Sequence, residues 1–264
     1  MKFQNASATE IDLQVGRDVR LLDKHDVKKL LGASAAGLLD GDGVKMVGYE
    51  TANRIANRGA DWTEQQGLVS IWMLGMLNAG EQTVVIVPYK PGAQDELGPV
   101  VKADYFGQIP PQRLKILPGA VFFMADGKCR SKIGTSQRRA RNLLGSIDFQ
   151  HGVLTVVQFT MPQDPAKHLY VNNMWEVPQA EPYVGDVANS YNDGPNELGE
   201  QLGAFYEIES LSPAVPLKTG ESLEHCHRTM HIQAGRATLE GLAKEIFNVD
   251  WTFANWSPLP LGEG

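Results

Sequence analysis

Residues 220–233 read GESLEHCHRTMHIQ and place three histidines within seven positions. In a β-strand, side chains alternate between the two faces, so His225, His227 and His231 would share one side. The cysteine, arginine and methionine between them would share the other side. The stretch therefore predicts a long strand with one face that carries three imidazoles.

Strand-like patterns recur along the chain. Short runs rich in β-branched and aromatic residues are separated by Gly, Pro and Asn. Such runs cover residues 10–22, 44–59, 68–77, 82–90, 119–127, 152–160, 204–212 and 222–233. Helical patterns are short and cover residues 23–32, 136–145 and 236–247. This recurrence predicts an all-β fold, an antiparallel β-sandwich with a few short helices.

The chain of 264 residues shows no internal repeat and no low-complexity linker. A chain of this length can bury one large β core. We therefore expect one β-sandwich domain over residues 1–237, followed by a C-terminal helix and an extended tail over residues 238–264.

The charge of the chain limits its partners. A formal net charge of −7 and an isoelectric point near 5.4 argue against a nucleic-acid or anionic-membrane surface, which would need a clustered basic face. The one basic cluster, Arg138, Arg139 and Arg141, is predicted to be a solvated helical turn. We expect neither a nucleic-acid nor a membrane partner.

Two cysteines fit a reducing compartment, and the first residues contain no secretory signal. No stretch approaches the ~20 apolar residues of a membrane span. The sequence as it stands predicts a cytoplasmic protein, or a periplasmic or secreted one if a signal peptide precedes it.

The histidine strand allows two interpretations. Imidazoles at alternate positions converge as metal ligands do, and Gly220 with His225 and His227 matches a cupin motif in part. However, Met230 or His231 stands where a cupin has its glutamate. The other interpretation is that the histidines make ordinary hydrogen bonds beside a groove. We expect no metal and no cofactor, and a metal-dependent enzyme stays an alternative.

Glu207 and Glu209 would share one face of the predicted strand over residues 204–212. Two carboxylates on one face are costly to bury unless they are paired or used, and a buried glutamate with a raised pKa suits a general base. The alternative is that both side chains point to solvent.

Residues 185–195, GDVANSYNDGP, combine hydrogen-bonding side chains with an aromatic ring, which is the mixture that a sugar site uses. The candidate ligands of a sugar are Asp186, Asn189, Tyr191, Asn192 and Asp193. The alternative is a simple turn, since Asn, Asp, Gly and Pro favour turns.

Two further features fit a sugar site. Trp175, like Trp62 and Trp72, would serve as a stacking platform or as core. Lys128, Arg130 and Lys132 alternate, so they would form a cationic face of one strand. This face would contact an acidic sugar, or the residues would simply lie on a solvated edge strand.

The stretch from Ile208 to Glu221 resembles the closing strands of aldose 1-epimerases. Ile208-Glu209-Ser210, then Ser212-Pro213, then Leu217-Lys218-Thr219-Gly220-Glu221 follow their arrangement, with Thr219 where the usual proline stands. This resemblance implies that Glu209 is the glutamate that takes a proton from the anomeric hydroxyl of a sugar.

Longer strings are similar to a bacterial family of unknown function, DUF6786, which is assigned to the galactose mutarotase-like superfamily. They include NRGADWTEQQGLVSIWMLGM, LGPVVKADYFGQIPPQRLK, YVGDVANSYNDGP and LGAFYEIESLSPAVPLKTGESLEHCHRTMHIQ. The resemblance implies a β-supersandwich and a carbohydrate-related role. Family members carry further strands before the position of Met1, so the chain is expected to be N-terminally short, with an incomplete supersandwich.

These observations lead to one main hypothesis, a carbohydrate-binding protein with a groove formed by Glu209, the histidine strand and the loop over residues 189–193. If it is an enzyme, it is sugar isomerase-, epimerase- or lyase-like, with Glu209 as base, His227 as acid, and His225 and His231 on the sugar. A non-catalytic sugar-binding module is the alternative. Because uncovered sheet edges are usually paired, a homo-oligomer is expected.

Overall fold

The computed structural model describes residues 1–174 and 179–249. In these ranges the strands are β1 (Lys2–Gln4), β2 (Glu10–Leu22), β3 (Lys45–Asn57), β4 (Trp72–Asn78), β5 (Thr83–Pro88), β6 (Leu114–Leu117), β7 (Ala120–Met124), β8 (Ser131–Ser136), β9 (Leu143–Asp148), β10 (Val153–Phe159), β11 (Asp186–Asn192), β12 (Phe205–Leu211) and β13 (Ser222–Gln233). The helices are α1 (Lys24–Leu31), α2 (Ala33–Leu38), α3 (Gln94–Leu97) and α4 (Arg236–Phe247), with short 3₁₀ turns at Pro111–Arg113 and Pro165–Lys167.

The strands form two antiparallel sheets. The large sheet has nine strands in the order β1-β2-β3-β13-β10-β9-β5-β7-β6, and the small sheet has four in the order β4-β12-β11-β8. The histidine strand β13 lies inside the large sheet, paired with β3 and β10. The predicted all-β antiparallel fold with a few short helices is confirmed.

Both faces of the large sheet are covered near its centre, which explains why its central strands are apolar throughout. Val156 packs in a cluster with α1, α2 and α4, whereas Val157 packs in a cluster with the small sheet. Adjacent residues of a strand point to opposite faces, so both faces need apolar side chains here. The same rule predicts that consecutive residues of any strand lie on opposite faces of its sheet.

Helix α4 packs on the large sheet through Leu239, Leu242 and Phe247, which are buried on one side of the helix. A Cβ at Gly145 would lie 2.6 Å from the ring of Phe247 and 2.2 Å from the carbonyl of Thr155, so glycine permits this close approach. The helix predicted to follow the domain thus contributes to its core.

Some predicted strands and helices begin and end at the residues seen in the structure, whereas other predictions differ from it. Strands β2 and β13 and helix α4 cover the predicted residues 10–22, 222–233 and 236–247. Residues 189–192 of the predicted loop belong instead to strand β11. The tail beyond residue 249 lies outside the described residues.

The predicted helix over residues 136–145 is wrong, because a turn leads into strand β9 there. Arg138 and Arg141 are exposed as predicted, but Arg139 is 1% exposed, so the predicted solvated turn is corrected at that residue. Its guanidinium donates to the carbonyls of Lys90, Gly92, Ala93 and Gly98. Arg139 therefore fixes the loop after β5 rather than facing solvent.

None of the helices in the described part of the chain is long and apolar enough to cross a membrane.

Candidate functional site

The face of the small sheet that points away from the large sheet carries several of the predicted polar residues, and we call it the outer face. Ile208 is fully buried between the sheets, so its neighbours Glu207 and Glu209 point outwards. Two rows of side chains cross β8, β11, β12 and β4 on this face: Lys132, Tyr191, Glu207 and Met76, then Gly134, Asn189, Glu209 and Leu74.

Glu209 is the fixed charge of the outer face. Its side chain is 0% exposed, and Lys132 Nζ lies 3.0 Å from Oε1 and 3.1 Å from Oε2. The indole N–H of Trp72 donates to Oε2 at 2.9 Å. The buried carboxylate of Glu209 thus has two partners, a cation and a further hydrogen-bond donor.

Glu207 lies next to Glu209 on the same face but is only half-buried. Burial and the adjacent Glu209 carboxylate raise the pKa of Glu207 to about 7, and Lys132 opposes this rise. A carboxyl group with such a pKa is populated in both protonation states near neutral pH. This is the property that acid–base chemistry at that pH requires.

Beside the glutamates, Tyr105 closes the β8 side of the outer face. Its hydroxyl donates to the carboxylate of Asp186 and lies 3.3 Å from Asn189 Oδ1. Lys132 lies 5.5 Å from the centre of the Tyr105 ring. Burial raises the pKa of Asp186, and the hydrogen bond from Tyr105 opposes it. Lys132 thus lies near two aromatic rings, since the centre of the Trp72 ring is 5.7 Å away as well.

The β4 side of the outer face is open and apolar. Trp72 is 49% exposed, Leu74 36% and Met76 60%. The hydrogen bond to Glu209 fixes the indole, so the ring cannot leave the sheet freely. An apolar platform therefore lies directly beside the two carboxylates.

Residues Asn192 and Asp193 hold loops together in the structure. Asn192 Nδ2 donates to the carbonyl of Cys129 at 2.8 Å, and its Oδ1 accepts from the N–H of Gly127. The carboxylate of Asp193 accepts from Tyr191 Oη at 2.6 Å and from the N–H of Gly203 at 2.8 Å. Both are almost fully buried.

His225 and His227 point into the space between the sheets, where they share one hydroxyl. Ser210 Oγ lies 2.8 Å from His225 Nε2 and 2.9 Å from His227 Nδ1. Burial lowers the pKa of both imidazoles to about 4, with a contribution from His227 at His225 and from Arg17 at His227. Both rings are therefore neutral at pH 7.

His231 belongs to a different environment, since its Nδ1 lies 3.0 Å from Thr155 Oγ1. Burial lowers its pKa as well. Across residues 1–174 and 179–249, no group of three His, Cys, Asp or Glu side chains is arranged to hold a metal ion. The three imidazoles of β13 thus do not converge as the cupin interpretation requires.

With the geometry established, comparison with known proteins decides the family. The sequence model of DUF6786, described as a family of unknown function, matches residues 1–254. The chain belongs to DUF6786. The predicted membership is confirmed, and no curated protein matches the sequence significantly.

Two solved structures are similar to this DUF6786 chain at a distance. A protein from Escherichia coli K12 described as an aldose 1-epimerase is 12% identical, with a TM-score of 0.40, over 72% of this chain and 60% of that one. The Slr1438 protein from Synechocystis sp. PCC 6803 is 9% identical, with a TM-score of 0.34, over 88% of this chain and 73% of that one. The chain thus spans about 60% of the E. coli protein, and the likeness carries no argument about activity.

The single groove predicted from the sequence is corrected by the DUF6786 structure. Glu209 and Ser210 are adjacent in β12 and point to opposite faces, and Ser210 is the residue that contacts His225 and His227. The structure therefore brings Glu209 together with Asp186, Asn189 and Tyr191 but not with the histidines. Trp175 lies among residues 175–178, outside the described residues.

Two important residues of the outer face were not predicted in this role. Lys132 lies on the edge strand β8, yet it is buried because Tyr105 covers it. Backbone hydrogen bonds between Lys102 and Gly134 hold the segment that carries Tyr105 against β8. The alternation of Lys128, Arg130 and Lys132 was the only sequence signal, and it did not identify the partner of Lys132.

Proposed function

We propose that this DUF6786 protein binds a carbohydrate on the outer face of the small sheet and transfers a proton on it through Glu207. The observation that carries the proposal is the pair Glu207 and Glu209, which share one face but differ in their partners. Glu209 is held by Lys132, whereas Glu207 forms no ion pair among residues 1–174 and 179–249.

Two neighbouring carboxyl groups in different environments can have different roles in acid–base chemistry. The anion of Glu209 disfavours a second negative charge next to it, which keeps a proton on Glu207 up to near-neutral pH. Once ionised, Glu207 can act as an efficient general base near neutral pH, because proton transfer is most efficient when the pKa of the base lies near the working pH.

The surroundings of the pair suit a sugar ring. The exposed indole of Trp72 offers an aromatic face for the apolar C–H groups of a pyranose, and Leu74 and Met76 extend this platform. Glu207 and the hydroxyl of a bound sugar would lie at the edge of the same platform. The sequence resemblance of residues 208–221 to the closing strands of aldose 1-epimerases supports this choice of ligand class.

The reaction would begin when the Glu207 carboxylate takes the proton of the anomeric hydroxyl. The bond between the anomeric carbon and the ring oxygen then breaks as a water molecule protonates that oxygen and becomes hydroxide. After rotation of the carbonyl, the new hydroxyl returns its proton to the hydroxide as its oxygen attacks the other face of the carbonyl. Glu207 returns its proton to the former anomeric oxygen and is again a carboxylate. The sequence resemblance assigns the base to Glu209, and this stays a prediction. The complete burial of Glu209 and its ion pair favour Glu207.

The test screens aldoses by NMR for exchange between anomers, and then compares Glu207→Gln with Glu209→Gln. We expect Glu207→Gln to lower the exchange rate by about 10²–10⁴-fold while the protein stays folded. Glu245→Gln, at an exposed glutamate of α4, is the control and should change nothing.

Equal rates for the wild type and Glu207→Gln would remove Glu207 from this role. Loss of exchange only in Glu209→Gln, with an unchanged melting temperature, would restore the prediction from the resemblance. Sugar binding without exchange in the wild type would instead favour the non-catalytic binding module.

A further inference from the structure

Resting on the proposed function, we infer that the carbohydrate is a neutral oligosaccharide rather than a single sugar. Its reducing unit lies at Glu207, and the units that follow run along β4 into a cleft beyond Trp72.

This cleft, of about 310 Å³, lies at the Trp72 end of the outer face. Trp72 and Leu211, which are cross-strand partners in β4 and β12, line it together with Phe3 of β1 and Val69. Its volume is at the lower end of the range of clefts that hold small ligands. Because Trp72 also belongs to the apolar platform beside the glutamates, the cleft continues the proposed sugar site.

The cleft begins too far from Glu207 for one sugar ring to occupy both places. Glu207 is paired with Met76, whereas Leu211 at the cleft is paired with Trp72, four residues away along both strands. At about 3.4 Å per residue, this separation is about 14 Å. The exposed side chains of Trp72, Leu74 and Met76 cover it with apolar surface, and we call them the β4 track. The β4 track is thus longer than a single pyranose and suits consecutive units of a linear chain.

The polar groups of the cleft are neutral hydrogen-bonding side chains. Ser70, Asn172 and Asn173 line it, and hydroxyl and amide groups suit sugar hydroxyls because each can both donate and accept. Within residues 1–174 and 179–249, neither Nδ2 nor Oδ1 of Asn173 has a hydrogen-bond partner, although both atoms are buried. A buried amide without partners is costly, so Asn173 gains free energy when its side chain turns to a hydroxyl in the cleft.

The charges along this path disfavour an acidic sugar. None of the described residues that line the cleft is charged. Beside the β4 track, Lys132 is already paired with Glu209, and Glu207 adds a negative charge when it ionises. A carboxylate or phosphate group on the ligand would lose its water without gaining a cation, so neutral units bind best.

The test measures anomeric exchange by NMR and binding by calorimetry for neutral reducing sugars of one to four units. The probes are malto-, cello-, manno- and xylo-oligosaccharides with their monosaccharides, and trigalacturonate is the acidic counterpart. We expect one neutral series in which kcat/KM rises at least about tenfold from the monosaccharide to the trisaccharide, mainly through a lower KM.

Two variants test whether this gain comes from the cleft. Ser70→Phe fills the cleft with an aromatic ring, so the ratio of kcat/KM between trisaccharide and monosaccharide should fall to about one. Asn173→Ala removes the unpaired amide and should lower the same ratio by about fivefold. Ser34→Phe adds the same ring at an exposed position of α2 and should keep the ratio of the wild type.

The outcomes separate this inference from the proposed function. Exchange of a monosaccharide that depends on Glu207, without any gain from chain length, overturns the inference while the proposed function stands. A gain that survives in both cleft variants, or tighter binding of trigalacturonate, also overturns it. Length-dependent binding that the cleft variants abolish, without exchange in the wild type, supports the oligosaccharide site and overturns proton transfer. If none of the sugars binds, both proposals fail. Matching circular dichroism spectra and melting temperatures of the variants show that the losses do not come from unfolding.

Discussion

The carboxylates of Glu207 and Glu209 lie side by side on the outer face of β12, and Lys132 lies within 3.1 Å of both oxygens of Glu209. This asymmetry leaves Glu207 beside a carboxylate, which contributes to its raised pKa. Lys132 also lies 5.5 Å from the centre of the Tyr105 ring, so the asymmetry depends on a segment outside the sheet. The property proposed for Glu207 is thus set by its neighbours rather than by its own burial alone.

Replacing Glu209 by glutamine should lower the pKa of Glu207 from about 7 towards its ordinary value. The substitution removes the adjacent negative charge, which disfavours ionisation of Glu207, while it keeps the side-chain shape. A titration of the ¹³C-labelled glutamate side chains by NMR measures this shift. In Glu245→Gln the pKa of Glu207 should stay as in the wild type, and an unchanged value in Glu209→Gln would contradict the proposed coupling.

Lys132→Met should destabilise the fold strongly, by about 3–5 kcal/mol, because it leaves the buried carboxylate of Glu209 without a cation. Adding Glu209→Leu to Lys132→Met should recover much of the loss, since the double variant buries no uncompensated charge. Urea denaturation of the three proteins at pH 7 measures both effects. Equal stability of Lys132→Met and the double variant would show that the ion pair is not the cause.

The alternation of side chains in strands was enough to predict β2 and β13 to the residue and to place Glu207 and Glu209 on one face. It could not predict which glutamate would be paired, because Lys132 lies 77 residues away along the chain from Glu209. Contacts of that separation follow from how the sheets are ordered. The order of strands β4-β12-β11-β8 has no local signal in the sequence.

The separation of Glu209 from His227 was missed for a similar reason. The period of two implies that Glu209 and Ser210 serve opposite faces, but only the packing of the sheets shows that Ser210 faces β13. The prediction for the arginine cluster failed at Arg139 alone, because its carbonyl partners lie 41 to 49 residues earlier in the chain, whereas Arg138 and Arg141 are exposed as predicted. A run of arginines that looks solvated locally can thus be buried by a distant loop.

Arg139→Ala should therefore lower the free energy of unfolding by about 3 kcal/mol, because it leaves several loop carbonyls without their donor. Its neighbour Arg138 is exposed, and within the described part of the chain its side chain donates one hydrogen bond, to the carbonyl of Glu96, so Arg138→Ala should cost less than about 0.5 kcal/mol. Chemical denaturation compares the two variants directly. Similar losses in both would return Arg139 to the solvated surface predicted from the sequence.

The buried histidines should make the fold sensitive to acid. The pKa of His225 and that of His227 are lowered to about 4 from an ordinary value of 6.5, so the folded chain keeps both rings neutral where the unfolded chain binds protons. Their contribution to stability is complete above pH 6.5 and is lost as the pH falls to about 4, on the order of 3 kcal/mol per imidazole. Denaturant midpoints at pH 7, 6 and 5 measure the loss.

His225→Gln and His227→Gln cannot take up a proton and should show a weaker dependence on pH, whereas His25→Gln, at an exposed position of α1, should follow the wild type. A dependence of equal strength in all four proteins would assign the acid sensitivity to other groups.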